Sequence, residues 1–241
     1  MEADVVRWYS TGSADNRRFA FCHPTMSTPL PAAADVIALH DRLLALPSWP
    51  ADEPVPRNEG VWRWVQTNHR FNCRLWAEED LARRTTVADA DIAANKRAID
   101  GFNQARNDAT ERVDEIVLSA LGLVDAASAR TDAPVATVSD GARLNSETAG
   151  SIIDRMSIMA LKVHAMRAQT ERQDVDAQHI EASRIKLARL AQQRADLGRC
   201  LDELLLDAQA GRAYFKVYRQ FKMYNDPRFN PVLVAEAKAR N

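Results

Sequence analysis

Four long stretches between Val61 and Gln209 carry apolar residues at helical spacing, and nothing in the chain alternates as a strand series would. The first runs from about Val61 to Arg84. The second begins after Val87, with Asp89 as its expected N-cap, and reaches about Leu121 before Gly122. The third starts near Ser146 or Thr148 and runs to about Gln173. The fourth occupies about Asp174 to Gln209 and ends at Gly211. Only 8 glycines and 7 % aromatics in 241 residues work against an all-β chain. A shorter helix is expected over Asp35–Leu46, stopped by Pro47 and Pro50, with Pro54 and Pro56 stiffening the link that follows. An aromatic-basic helix is expected from Arg212 to Tyr224, ahead of Asn225 and Pro227. The fold class is therefore all-α: a helical bundle over residues 34–241 with a loop near 123–144, preceded by an irregular N-terminal arm over 1–33.

Charge and cysteine usage narrow the function classes. The formal net charge is −1, so no global field draws the chain to nucleic acid or anionic membrane, and any anion site must be local. No stretch approaches the roughly 20 apolar residues of a membrane span. The opening Met-Glu-Ala-Asp lacks the basic start of a secretory signal. Cys22, Cys73 and Cys200 are odd in number and follow no metal spacing, as expected of reduced thiols in a cytoplasmic protein. There is no glycine-rich phosphate loop, no H-x-x-x-H or C-x-x-C pair and no G-x-S-x-G elbow.

What remains is polar residues bordering apolar helix faces. At 100° per residue the first helix puts Trp62, Val65, His69, Asn72, Cys73, Trp76, Asp80 and Arg83 on one face. On the second, Lys96, Asp100, Asn103, Asn107, Glu111 and Asp114 form a stripe beside a core side of Ile99, Val113 and Val117. On the third, Ile152, Met156, Met159 and Val163 form an apolar arc, while Asp154, Arg155 and Lys162 lie opposite among Ile158 and Leu161. Buried charges need partners or a ligand. The tail adds Arg212, Lys216, Arg219 and Lys222, four cations suited to phosphate oxygens. Each feature also has a structural explanation: a satisfied core histidine, inter-helix hydrogen bonds, a solvated face.

Three segments, Asn72–Arg83, Asn95–Asp108 and Asn145–Lys162, together with the tail Phe215–Asp226, resemble domain-of-unknown-function family 4254, over roughly residues 35 to 231. Ala149 stands where that resemblance leads one to expect proline. Gly150–Ile158 also looks like a motif of another uncharacterised family. The resemblance implies a bacterial protein occurring beside glycosyltransferases of surface polysaccharide assembly, and it brings no established activity.

Three functions compete. In the first, the bundle holds a phosphorylated ligand, a nucleotide-sugar or phosphosugar, using His69, Asn72, Trp76, Asp80, Arg83, Lys96, Asp100, Asn103, Asn107, Asp154, Arg155, Lys162 and Arg219. In the second, it is a Mg²⁺-dependent nucleotide pyrophosphatase-like enzyme whose carboxylates are Glu79, Glu111 and Asp114, with Glu78 adjacent. Ala82 stands where a further carboxylate is needed. In the third, it is a structural partner of a glycosyltransferase or of itself as a homo-oligomer, with the polar stripes as cement. No cofactor other than that Mg²⁺ is implied.

Overall fold

A computed structural model describes residues 30–51, 60–221, 223 and 226–240. Most of the expected N-terminal arm, and Tyr224 in the tail, lie outside the described residues. The elements are α1 (Ala33–Leu44), α2 (Val61–Leu81), α3 (Asp89–Ala120), β1 (Arg143–Leu144), α4 (Ala149–Thr170), α5 (Ala177–Gln209), β2 (Ala213–Tyr214) and α6 (Pro231–Ala239). The all-α expectation holds, with one two-stranded pairing among the described residues.

α4, α5 and α6 start where a capping side chain satisfies their free amides. Thr148 caps α4: its hydroxyl accepts from the Ser151 amide at 3.0 Å, while the Ser151 hydroxyl accepts from the Thr148 amide at 2.8 Å. Asp176 caps α5 through the His179 amide at 2.7 Å, two residues beyond the expected Asp174. Asp89 is the first residue of α3 and Ala88 takes the cap position without a side-chain bond.

α2 and α3 lie antiparallel, with Asn68 opposite Thr110 and Asn95 opposite Glu78. α4 and α5 form a second antiparallel pair, and α4 also packs on α1, α2 and α3. The core runs through Val65, Val113, Val117, Ile152, Ile153, Met156, Leu201 and Phe215. Gly150 lets α4 begin against α3: a Cβ there would stand 2.5 Å from the Thr110 carbonyl oxygen and 2.9 Å from Asp114 Oδ1. The Gly150 amide donates to that carboxylate at 2.7 Å. α1 is tied to α5 by the Ala33 amide on Asp202 (2.9 Å) and by Arg194 on Asp41 (2.8 Å) and the Ile37 carbonyl (3.1 Å).

The tail corrects the sequence reading. Over its described residues from Arg212 to Phe221 this segment is not a helix. Gly211, at φ +68°, ends α5, and β2 then pairs in parallel with β1, after which the chain forms no helix or strand from Phe215 to Phe221. Ala213, Phe215 and Val217 are buried while Lys216 and Tyr218 face out, which is a strand's period of two. A helical projection of the same residues groups Tyr214, Val217, Tyr218 and Phe221 and hides that alternation. α6, with Pro231 at its start and Asn230 as cap, was not anticipated.

Candidate functional site

Two polar regions meet at Asn72. Asn68, His69, Asn72 and Cys73 project from consecutive turns of α2 toward Ser157 and Asp154 of α4. The Asn68 and Asn72 amides donate to Asp154 Oδ1 at 2.8 and 2.9 Å. Asn72 Nδ2 also stands 3.0 Å from Ser157 Oγ and 3.2 Å from Asn68 Oδ1, so its two hydrogens serve three acceptors. Ser157 Oγ lies 2.8 Å from His69 Nδ1. Further inward, His40 stacks on His69 with centroids 4.3 Å apart, Trp49 stacks on His69 at 5.7 Å, and the Trp49 indole donates to Cys73 Sγ at 3.2 Å.

This inner layer is chemically quiet. Burial drives the His69 imidazole down to about 3, aided by the Arg194 charge and opposed by a hydrogen bond to the His40 backbone. Burial lowers His40 as well, with the neighbouring His69 and Arg194 acting in the same direction, and neither of its ring nitrogens has a hydrogen-bond partner among the described residues. Burial pushes the Cys73 thiol up to about 11, against the Trp49 hydrogen bond. At neutral pH both rings are uncharged and the thiol is protonated. Such a layer orients helices and offers no ready nucleophile.

On its other side Asn72 faces a cleft of about 360 Å³ between α2, α3 and α4, lined by Asn72, Leu75, Trp76, Glu79, Asp80, Arg83, Asn103, Arg106, Ile158 and Leu161. Arg106 matters most here. Its Nη2 donates to Asn107 at 3.1 Å, yet its buried Nε makes no hydrogen bond and sits 3.9 Å from Asp154 Oδ1, in ion-pair range. Arg83, at the mouth, pairs with Glu79 at 3.3 Å. Two guanidinium groups, two amides, an indole face and carboxylates converge on one opening, a mix suited to a ligand with both anionic and hydroxyl groups.

The residues expected from sequence fall into separate places. Asn72, Trp76, Asp80, Arg83 and Asn103 line the cleft, and Asp154 stands behind Asn72. His69 belongs to the closed layer. Arg155, paired with Glu147, and Lys162 line a second cleft of about 630 Å³ against Gln193, Asp196 and Cys200 of α5. Lys96 and Asp100 are exposed and line neither cleft. Asn107 donates to Gln220 of the tail at 2.8 Å. Arg219 is committed elsewhere: it bridges Glu111 (2.9 Å) and Glu115 (2.6 Å) and donates to the Ala129 and Thr131 carbonyls.

The carboxylates of the metal alternative are dispersed. Glu79 lines the first cleft, Glu111 is held by Arg219 and the Gln220 amide, and Asp114 accepts from Gly150. Among the described residues no group of three His, Cys, Asp or Glu side chains is placed to hold a metal ion. Burial pushes Asp114 up to about 7, with the Thr148 and Gly150 hydrogen bonds opposing and the Glu111 and Glu115 charges adding.

Sequence reasoning missed Arg106, Asn68, Ser157 and His40. Arg106 carried a usable signal, because it follows Asn103 by three and precedes Thr110 by four on one helix face. Asn68–Asn72 has the same i,i+4 spacing as Asn103 and Asn107 on α3. Ser157 had no signal of its own, since a serine on an apolar arc reads as filler.

No helix among the described residues is long and apolar enough to cross a membrane. No curated protein and no solved structure matches the chain. The model of the family described as "Protein of unknown function (DUF4254)" matches residues 62–217. That span runs from α2 through Val217, narrower than the 35 to 231 expected, and it includes every residue lining the first cleft while leaving α1 and α6 outside. The chain belongs to this family of unknown function.

Proposed function

We propose that the cleft between α2, α3 and α4 binds a small phosphorylated, hydroxyl-rich ligand of the phosphosugar class, in the setting of bacterial surface-glycan assembly. The observation that carries this reading is Arg106, whose buried Nε has no hydrogen-bond partner at the edge of a polar cleft. A phosphate oxygen would meet the part of the Arg106 guanidinium that lines the cleft with a charge-assisted bond, and Arg83 would meet a second oxygen from the mouth. Asn72, Asn103 and Asp80 would take sugar hydroxyls, and Trp76 would cover an apolar ring face. A volume of about 360 Å³ lies near the lower end of the ~300–1,000 Å³ typical of small-molecule sites. That favours a phosphosugar over an intact nucleotide-sugar.

The test is melting temperature and calorimetry against hexose phosphates, nucleotide-sugars and nucleotides, each with and without Mg²⁺. A ligand at about 100 times its dissociation constant adds roughly 2.7 kcal/mol of stability. Hexose phosphates stabilise the wild type and leave Arg106→Gln unmoved. Mg²⁺-dependent pyrophosphate release from nucleotides would instead favour the pyrophosphatase-like alternative. A flat panel sinks the ligand reading and leaves that of a structural partner for a glycosyltransferase.

A further inference from the structure

The C-terminal stretch beyond Val217 exposes what the rest of the molecule buries. Tyr218 is 53 % exposed, Phe221 69 %, Met223 59 %, Phe229 58 % and Val232 64 %. α6 has no buried residue and packs on no other helix or strand among the described residues. A helix of nine residues is too short to be stable by itself in water, so its apolar side chains call for a partner surface.

Charge indicates which surface. Lys216, Lys238 and Arg240 are exposed and form no ion pair among the described residues, and Lys222 adds a further cation in sequence. Asp226 is already paired with Arg228 at 2.7 Å, which leaves Glu236 as the one acid of this stretch outside such a pair. The uncommitted charge beside the aromatics is therefore cationic. A second copy of the chain presents no matching apolar groove among the described residues. Its other exposed apolar side chains, such as Leu46, Leu81, Val135 and Ile185, are scattered over separate elements, and both clefts are rimmed with charges. An anionic lipid surface needs no shaped groove, accepts aromatic side chains at its headgroup level and attracts lysine and arginine.

We propose that residues 216–240 dock the protein onto anionic lipid, with Phe221, Phe229 and Val232 entering the interface and Lys216, Lys238 and Arg240 meeting the headgroups. α6 is about 13 Å long. It can lie in the interface and cannot cross a hydrocarbon core of about 30 Å.

The experiment floats the full chain with vesicles of phosphatidylcholine alone or mixed with phosphatidylglycerol. The protein co-floats with the mixed vesicles and not with the neutral ones, and raising the salt releases it. Phe221→Ser with Phe229→Ser, and separately Lys238→Glu with Arg240→Glu, each weaken partition by more than about tenfold. The melting temperature holds in both, because these side chains are exposed. Equal recovery with neutral vesicles, or none with the mixed ones, overturns the proposal. So does a dimer seen by light scattering that the phenylalanine substitutions dissociate in the absence of any vesicle binding.

Discussion

Asn72 divides two regions built from the same kinds of side chain. Inward, His69, Ser157, Cys73 and Trp49 contact one another in a layer where His69 and His40 are wholly buried. Outward, Trp76, Asp80, Arg83, Asn103 and Arg106 surround a cleft open to water. Histidine, asparagine and tryptophan occur on one face of α2 and end in opposite roles. The difference lies in partners. A polar group matched within the protein contributes to stability, while one left short of partners at an opening is available to a ligand.

Acid should break the inner layer first. His69 is held near 3 against an ordinary 6.5, so stability is complete above about 6.5 and is lost as pH falls toward 3; His40 acts in the same direction. Asp114, raised from 3.8 to about 7, acts oppositely: its contribution is complete below 3.8 and is lost as pH rises through 7. Each group contributes at most about 1.4 kcal/mol per pH unit. His69 and Asp114 nearly offset one another between pH 6.5 and 4, so the lowering of His40 by burial leaves a net loss of stability on acidification. Urea denaturation across this range measures it, and a flat profile would mean that the layer is open to water.

Gly150→Ala should follow at about 3 kcal/mol, because the new methyl meets a backbone oxygen at 2.5 Å that can retreat only if α4 shifts from α3. Thermal melting reads that directly. Asp114→Asn is subtler: it keeps an acceptor for the Gly150 amide and removes the titration. Its stability relative to wild type should therefore rise between pH 5 and 8, by about 2–3 kcal/mol. The opposite slope would show that the helix start holds the carboxylate ionised. Arg106→Gln sharpens the comparison from the cleft side. It should leave unfolding within about 0.5 kcal/mol of wild type while abolishing stabilisation by hexose phosphates. A large loss of stability without ligand would move Arg106 into the structural layer. Arg155→Gln, which removes only an exposed pair with Glu147, should change neither quantity measurably.

Helices α1 to α5 were legible because their period and stops are carried within each segment. α4 shows this best: Thr148 and Ser151 close its first turn, and Ile152, Met156, Met159 and Val163 are buried as their spacing required. The tail was misread because thirteen residues from Arg212 fit two periods, and only the neighbour at Arg143–Leu144 selects the extended one. Site residues were half legible. Asn72, Trp76, Asp80 and Arg83 share a cleft because they share a face of one helix, whereas Arg155, Lys162 and Arg219 were grouped with them by charge alone.

The chain by itself determined helices α1 to α5 and the faces on which their polar residues would stand, since both follow from interactions within a few residues along the sequence. Tertiary structure decided which of those groups found partners. His69 met His40 and Ser157, Arg219 met Glu111 and Glu115, and Arg106 Nε met no hydrogen-bonding group. Those meetings join residues tens of positions apart, and their energies depend on burial and on a distance of a few ångströms, neither of which local spacing contains.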